Sequence, residues 1–488
     1  MLRNMSFFRQ AILVLIVLLI CRLVAMAMIP LNDTTEARYG EIARIMVETG
    51  NWVTPMHHYD EPFWAKPPLS TWLSALSMRF LGVSAFSARL PSIFLSIGIL
   101  CLVWGVAKKH SGEKVATTTL LILAGSLFFF LDAGAVMTDP ALLFCTTLTI
   151  VSFWRAFTYN SRLWGYLFFI ALGLGLLAKG PIALVLTGMP LFIWVLRHRC
   201  WLTLWQRLPW ISGTLLMIAI AAPWYALAEI RTPGFIHYFI VGEHINRFLK
   251  PGWDGDKYGF AHIAPYGMIW VYAILGTLPW SATACAWLVP RAKTLPARCK
   301  DNDGWMSYLL LCTLVPLIFF TFARNIIYPY VFPSLPTFAL LYAELLSRMH
   351  LQTKNQIWLV SLTPFFGIGF VCASFLFMYQ PTLIGRSQQS VINAWYQQHP
   401  SANSHLIYWT HKIEYSAQFY SAGRAIATLS PARLCRLLSN QTDNYVVVDG
   451  NERTPIPTHI RQHLTTVTSI PFSKHTSTLF HANVFNCA

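Results

Sequence analysis

A chain of 488 residues in which 55% are hydrophobic and only 11% are charged has more apolar surface than a soluble fold can hide. Soluble chains are about a quarter Asp, Glu, Lys and Arg, so an ordinary cytosolic enzyme, a disordered chain and a free coiled coil are excluded. The balance of 36 Lys and Arg against 20 Asp and Glu gives +16, but the basic residues sit singly or in small groups between apolar runs. No basic face with interleaved aromatics occurs, which excludes nucleic acid as a partner.

A spanning helix needs roughly 20 apolar residues. Eleven runs qualify as candidates: 7–29, 91–107, 115–131, 140–158, 163–178, 181–196, 209–229, 263–288, 305–322, 328–347 and 356–379. The first ends in Ala25-Met26-Ala27, the small-x-small form of a signal cleavage site, although the run is long for a signal peptide. With the N-terminus cytoplasmic, the inside loops carry Arg3 and Arg9, then Lys108, Lys109 and Lys114, then Arg162. Arg197, Arg199 and Arg207 follow, then Arg291, Lys293, Arg298 and Lys300, and finally Arg348 and Lys354. Every inside loop is basic, as the positive-inside rule requires. The acids gather outside.

The outer segment 30–90 opens with Asn32-Asp33-Thr34-Thr35, residues that cap helices. The helix that follows, Glu36 to Thr49, carries Ile42, Ile45 and Met46 on one face and ends at Gly50, a C-cap glycine. This amphipathic helix is expected along the membrane surface. Its Arg38, Glu41 and Arg44 are either surface ion pairs at i,i+3 or part of a site with the segment Asp60-Glu61-Pro62-Phe63-Trp64-Ala65-Lys66-Pro67-Pro68. Lys66 reads either as a snorkelling anchor or as a phosphate ligand in a rigid loop.

Further along, Asp139 precedes Pro140 and either caps the next helix or faces outward as a functional acid. Lys179, before Gly180-Pro181, lies on the outer side against the charge trend, and predicts an anion or carboxylate partner. Segment 230–262 is rich in Gly, Pro and aromatics and reads as an ordered loop. Its Glu243 and His244 can offer two ligands to a divalent metal completed by a carboxylate from the first loop, such as Glu61. The bland alternative for a lone His is a hydrogen-bonded structural role. Arg324, Tyr328 and Tyr330 sit at another outer helix end, as interfacial belt residues or as donors to a phosphate.

From about 380 the composition turns polar, with strand-like runs His405–Trp409, Tyr445–Val448 and Thr478–Phe485. The fold class expected is therefore an all-α polytopic membrane domain, residues 1–379, with outer segments 30–90 and 230–262, followed by a small soluble α/β domain, residues 380–488, on the outer face. Of 10 cysteines most lie in apolar runs, while Cys435 and Cys487 fall in this tail and can pair if it lies in an oxidising compartment. Carboxylates, cations and a histidine at the outer mouth of a helical bundle suit group transfer from a phosphorylated donor. A lipid-linked-sugar transporter is the alternative, but it would place charges mid-bilayer.

The string Asp33-Thr34-Thr35-Glu36-Ala37-Arg38-Tyr39-Gly40-Glu41-Ile42-Ala43-Arg44 resembles the first-loop motif of bacterial polyprenyl-phosphate-dependent glycosyltransferases, relatives of the lipid A aminoarabinose transferases and, more distantly, of protein O-mannosyltransferases (GT-C type). Phe63 through Pro68, Thr138-Asp139-Pro140, Ala178-Lys179-Gly180, Glu243-His244 through Arg247-Phe248, and Tyr330 through Pro333 are similar to its later motifs, in order. The resemblance covers roughly residues 7–350. It implies an inverting enzyme of the bacterial inner membrane that takes a sugar from undecaprenyl phosphate at the periplasmic face and gives it to lipid A, another envelope glycan, an O-antigen or exopolysaccharide, or a protein.

In that frame Lys66, Arg38, Tyr330 and Arg324 bind the carrier phosphate, and Glu36, Lys179, Arg247 and Tyr328 complete the substrate site. His244 corresponds to a metal ligand and Asp139 to a second acid. Two departures matter. Relatives place an Asp directly before the motif Glu where this chain has Thr35, so Asp33, the nearest Asp, is the expected base. Aminoarabinose transferases carry a metal-binding Glu directly before the lysine where this chain has Ala65.

Overall fold

The computed structural model describes residues 6–259, 262–291, 293, 301–349, 363–364, 367–373, 375–376, 386–439, 443–452, 454–472 and 475–482. Two units pack together: a helical body and a small sheet domain. Among the described residues five helices are long and apolar enough to cross a membrane. These are α1 (Phe7–Met28), α4 (Ala85–Ser111), α7 (Asp139–Tyr159), α8 (Arg162–Lys179) and α11 (Trp210–Arg231). Between them lie α2 (Thr35–Thr49), α3 (Leu69–Leu81), α5 (Glu113–Ala124), α6 (Leu127–Asp132), α9 (Ile182–His198) and α10 (Trp201–Arg207).

Several expected spans take other forms. Run 115–131 breaks at Gly125-Ser126 into α5 and α6, where an added Cβ at Gly125 would lie 2.9 Å from the Trp280 ring. Run 263–288 is two helices, Met268–Gly276 and one starting at Trp280, bent by 100°. Run 328–347 begins as a 3-10 turn, Tyr328–Ser334, where Pro329 and Pro333 cannot supply amide donors, and continues as Leu335–Arg348. Most of run 356–379 lies outside the described residues.

The segment expected as a loop contains a ten-residue π-helix, His237–Asn246. Its wide turn brings Glu243 and His244 inward, and Gly242 packs where a Cβ would meet Trp253 at 2.7 Å.

Helix α2 starts and stops where its sequence indicates, with Gly50 at φ +67° closing it. Its position differs from the expectation. Rather than lying on a membrane surface it is buried from Tyr39 through Met46, Glu41 and Arg44 included. One side meets α3, and the other meets the helix Tyr415–Tyr420 of the C-terminal unit. At Gly40 a Cβ would meet the Phe419 ring at 3.5 Å, an ordinary contact, and Leu31 Cδ1 at 2.7 Å.

The C-terminal unit is a five-stranded mixed sheet of order β4-β3-β5-β7-β6, with β3 (Leu406–Trp409), β4 (Ala425–Thr428), β5 (Asn444–Asp449), β6 (Leu464–Pro471) and β7 (Thr476–Ala482). The three strands β4, β3 and β5 run parallel. Alternation along β3 sends Leu406 and Tyr408 to one face, against Ile392, Trp395 and Ala417. Ile407 and Trp409 point to the other, against Leu434, Leu438 and Ile460. Helices thus cover both faces, as parallel strands require. Cys435 is disulfide-bonded, and Cys487 lies outside the described residues.

Candidate active site

A cavity of about 1040 Å³ opens where the C-terminal ends of α1 and α8 and the N-terminal ends of α4 and α7 meet α2, the loop after the π-helix, the Tyr328–Ser334 turn and the C-terminal unit. Of the site residues expected from sequence, Asp33, Glu36, Arg38, Lys66, Asp139, Lys179, Arg247, Tyr328 and Tyr330 all line it. Glu243 and His244 line a smaller adjoining cavity of about 80 Å³, which shares Lys66, Lys179, Arg247 and Tyr330 with the first. Arg324 and Glu61 line neither. The Arg324 guanidinium lies instead over the Tyr266 ring, 4.7 Å from its centroid.

The cations are built in from different elements. Lys66 follows a rigid aromatic loop whose Trp64 amide donates to the Tyr258 hydroxyl at 3.2 Å. Its ammonium donates to Glu243 Oε2 at 2.8 Å and to its neighbour Ala65 O at 2.7 Å. Arg247, one turn beyond Glu243, donates to the same Oε2 at 3.0 Å and approaches Asp256 at 3.5 Å. Burial raises the Glu243 pKa, but the two cations outweigh it and hold the carboxyl below its usual range. Arg38 donates to Tyr258 O and sits over the rings of Tyr39 and Phe63, while its Nε–H is buried without a protein acceptor.

Asp139 opens α7 yet caps nothing. Its carboxylate accepts from Lys179 at 2.5 Å, the carboxylate partner that the outward lysine predicts, and the Lys179 ammonium stands 5.1 Å from the Tyr330 ring centroid. Glu36 is spent on Arg89, which reaches it at 2.6 and 3.2 Å, and on the Val136 amide at 3.2 Å. Burial would raise its pKa, but Arg89 brings it below the normal range. Arg89 also donates to the carbonyls of Met26 and Pro30 at 3.2 and 3.0 Å, tying α1, α2 and α4 into one wall.

Asp33 does not cap α2. Its Oδ1 accepts the Ser416 amide at 3.0 Å, and its Oδ2 accepts the Ser416 hydroxyl. Burial, with the nearby Glu414 charge, pushes its pKa up to about 7 against the partial opposition of Ser416.

The metal set read from the sequence does not come together. Glu61 faces His57 Nδ1 at 3.3 Å rather than the Glu243-His244 pair. Glu243 is neutralised by two cations. Both His244 ring nitrogens face carbonyl oxygens, Phe239 O at 2.8 Å and Lys179 O at 3.2 Å. A divalent ion needs free lone pairs from its ligands, so these residues do not fit one, and Ala65 adds no carboxylate.

Several cavity residues carry no motif signal: Arg89, Tyr258, His262, Lys412 and Tyr415. Arg22 is the exception that a sequence rule would have found, since a charge inside an apolar run marks an intramembrane site. It is buried, and its guanidinium donates to Leu131 O at 2.7 Å. In all, eight Lys and Arg but only four Asp and Glu line the cavity.

The chain is similar to several known proteins. The family described as dolichyl-phosphate-mannose-protein mannosyltransferase matches residues 8–239. An undecaprenyl phosphate-α-4-amino-4-deoxy-L-arabinose arabinosyl transferase from Erwinia tasmaniensis is 28% identical over 347 residues, 70% of this chain and 60% of that protein. Its counterpart from Aeromonas hydrophila is 30% identical over 319 residues, 64% and 56% of the two chains. The matched stretch is thus less than two thirds of either relative. The crystal structure of ArnT from Cupriavidus metallidurans bound to undecaprenyl phosphate shares the fold, with a TM-score of 0.73 at 17% identity over 96% of this chain and 97% of that one. The chain is thus similar over part of its length to undecaprenyl phosphate-aminoarabinose arabinosyl transferases and shares the fold of ArnT.

Proposed function

We propose that the chain is an inverting glycosyltransferase that moves a sugar, aminoarabinose by analogy with its named relatives, from undecaprenyl phosphate to lipid A or a related envelope glycan. The carrying observation is the surplus of cations over carboxylates around the cavity, with Lys66 and Arg247 converging on one carboxylate. A carboxylate shared by two cations leaves positive charge to offer, and a phosphate is the ligand that such a surplus suits.

In the reaction the acceptor oxygen attacks the anomeric carbon. The bond from that carbon to the carrier phosphate oxygen breaks, and its electron pair leaves with the phosphate. Lys66 and Arg38, with Arg247 behind, stabilise the charge that develops there as the bond lengthens, so they favour the transition state over the ground state. Asp33 accepts the proton of a hydroxyl acceptor. A carboxylate offers about four lone-pair directions, Ser416 takes two, and a base titrating near 7 is matched to neutral pH. If the acceptor is itself a phosphate, no base is needed and Asp33 orients the sugar. Asp139, Lys179, Tyr328 and Tyr330 bind the donor, and Glu36 braces the wall through Arg89.

The same reading puts the site at the periplasmic face of the inner membrane, with the membrane spans in residues 1–379 and residues 380–488 as a periplasmic domain. Basic inside loops support it, as does the disulfide at Cys435, which suits an oxidising compartment. Mass spectrometry of lipid A and surface glycans from a deletion strain tests the acceptor: lipid A should lose one sugar substituent. Unaltered lipid A with an altered glycan or protein would move the acceptor elsewhere.

A further inference from the structure

A second cluster of ligating side chains lies apart from Glu243 and His244. Strands β1 (Met56–His58) and β2 (Glu61–Pro62) form a small antiparallel hairpin in which His58 and Glu61 are cross-strand partners. The turn is only two residues, Tyr59 and Asp60, so both side chains are brought together by short-range geometry. His57, displaced by an irregularity in the strand register, turns its Nδ1 to within 3.3 Å of Glu61 Oε2. One ligand atom from each of His57, His58 and Glu61 lies within 4.8 Å of the other two.

We infer that His57, His58 and Glu61 bind one zinc ion, at the joint between the first outer segment and the C-terminal unit. A tetrahedral zinc with bonds of about 2.0–2.1 Å separates its ligand atoms by roughly 3.4 Å. His57 and Glu61 already stand at that spacing. His58 is only half-buried, so its ring has room to close the remaining distance. Two imidazoles and a carboxylate, with a fourth position left to water, form a recognised zinc donor set.

The surroundings orient the ligands as second partners do in metal sites. The Tyr415 hydroxyl engages His57 Nε2 at 2.5 Å, leaving Nδ1 for the ion. Phe63 stacks on the His57 ring with centroids 5.9 Å apart, and Tyr415 stacks on His58 at the same distance. The Lys412 charge beside His58 opposes a cation, and the Glu61 carboxylate offsets it. Because Tyr415 precedes Ser416, an ion here fixes the same helix that holds Asp33.

The test is isothermal titration of zinc chloride into the full-length protein, purified in detergent and stripped with a chelator. The expected result is one equivalent bound. His58→Ala and Glu61→Gln, both on partly exposed side chains, should each weaken binding at least tenfold while eluting as the same monodisperse species. His244→Ala should leave binding unchanged. No zinc uptake by the wild type, or unchanged affinity in both hairpin variants, would overturn the inference, as would loss of binding in His244→Ala alone.

Discussion

Ser416 donates both its backbone amide and its hydroxyl to the Asp33 carboxylate, joining positions 383 residues apart in the chain. The contact links the C-terminal unit to the mouth of the cavity, and makes the protonation of Asp33 depend on how that unit is docked.

That dependence gives a pH signature. Burial and Glu414 raise Asp33 from 3.8 to about 7, so transfer to a hydroxyl acceptor should rise with pH through about 7 as the base ionises. The Ser416 hydroxyl favours the charged form, and Ser416→Ala should move this limb to higher pH by about one to two units, since a hydrogen bond to a charged group is worth roughly 1.5–3 kcal/mol. Stability runs the other way. The folded chain holds the Asp33 proton more tightly than the unfolded chain, so this residue's contribution is present at low pH and is lost between about pH 4 and 7. Thermal unfolding of wild type and Asp33→Asn across that window checks the sign, because the variant should lack this component of the slope.

Asp33 and Asp139 should separate kinetically. Asp33→Asn should lower kcat on a hydroxyl acceptor at least about 100-fold, the lower range for a general base. Asp139→Asn, which loosens Lys179, should chiefly raise the donor KM and leave the pH limb in place. Near-wild-type turnover in Asp33→Asn would move the base to another group.

Lys66→Ala should reduce transfer in membranes by about 100-fold or more, the scale of removing one preorganised charge stabiliser, with expression unchanged. Glu243 keeps Arg247 as a partner at 3.0 Å, so the fold has no newly orphaned carboxylate. Retained activity would remove Lys66 from the phosphate site.

Arg89→Leu should destabilise rather than selectively inactivate. It breaks the buried pair with Glu36 and releases three backbone carbonyls, those of Met26, Ile29 and Pro30, and removing one member of a buried pair costs about 3–5 kcal/mol. The unfolding midpoint in detergent should fall well below that of Lys66→Ala.

Features legible in the sequence were those written in adjacent residues. The C-terminal end of α2 at Gly50, the carboxylate partner of Lys179, and the strands β3, β5 and β7 follow from a C-cap glycine, a lysine out of place in the charge pattern, and alternation. The burial of α2 did not, because Glu41 and Arg44 form an i,i+3 pair that looks the same on a surface. What covers them, the helix carrying Phe419, arrives from the far end of the chain. The π-helix was obscured because its wider turn breaks the 3.6-residue period. Arg89 gives no signal because its partners are mostly backbone carbonyls brought together by three helices, whereas Arg22, a lone charge inside an apolar run, is legible by rule.

The most direct test of the central claim is reconstitution. The purified chain in lipid vesicles, supplied with undecaprenyl phosphate-aminoarabinose and lipid A, is followed by mass spectrometry of both lipids. The account predicts lipid A gaining one aminoarabinose as the carrier returns to undecaprenyl phosphate, with Lys66→Ala giving neither. Movement of the lipid-linked sugar across the bilayer with no change in the mass of either lipid would contradict it.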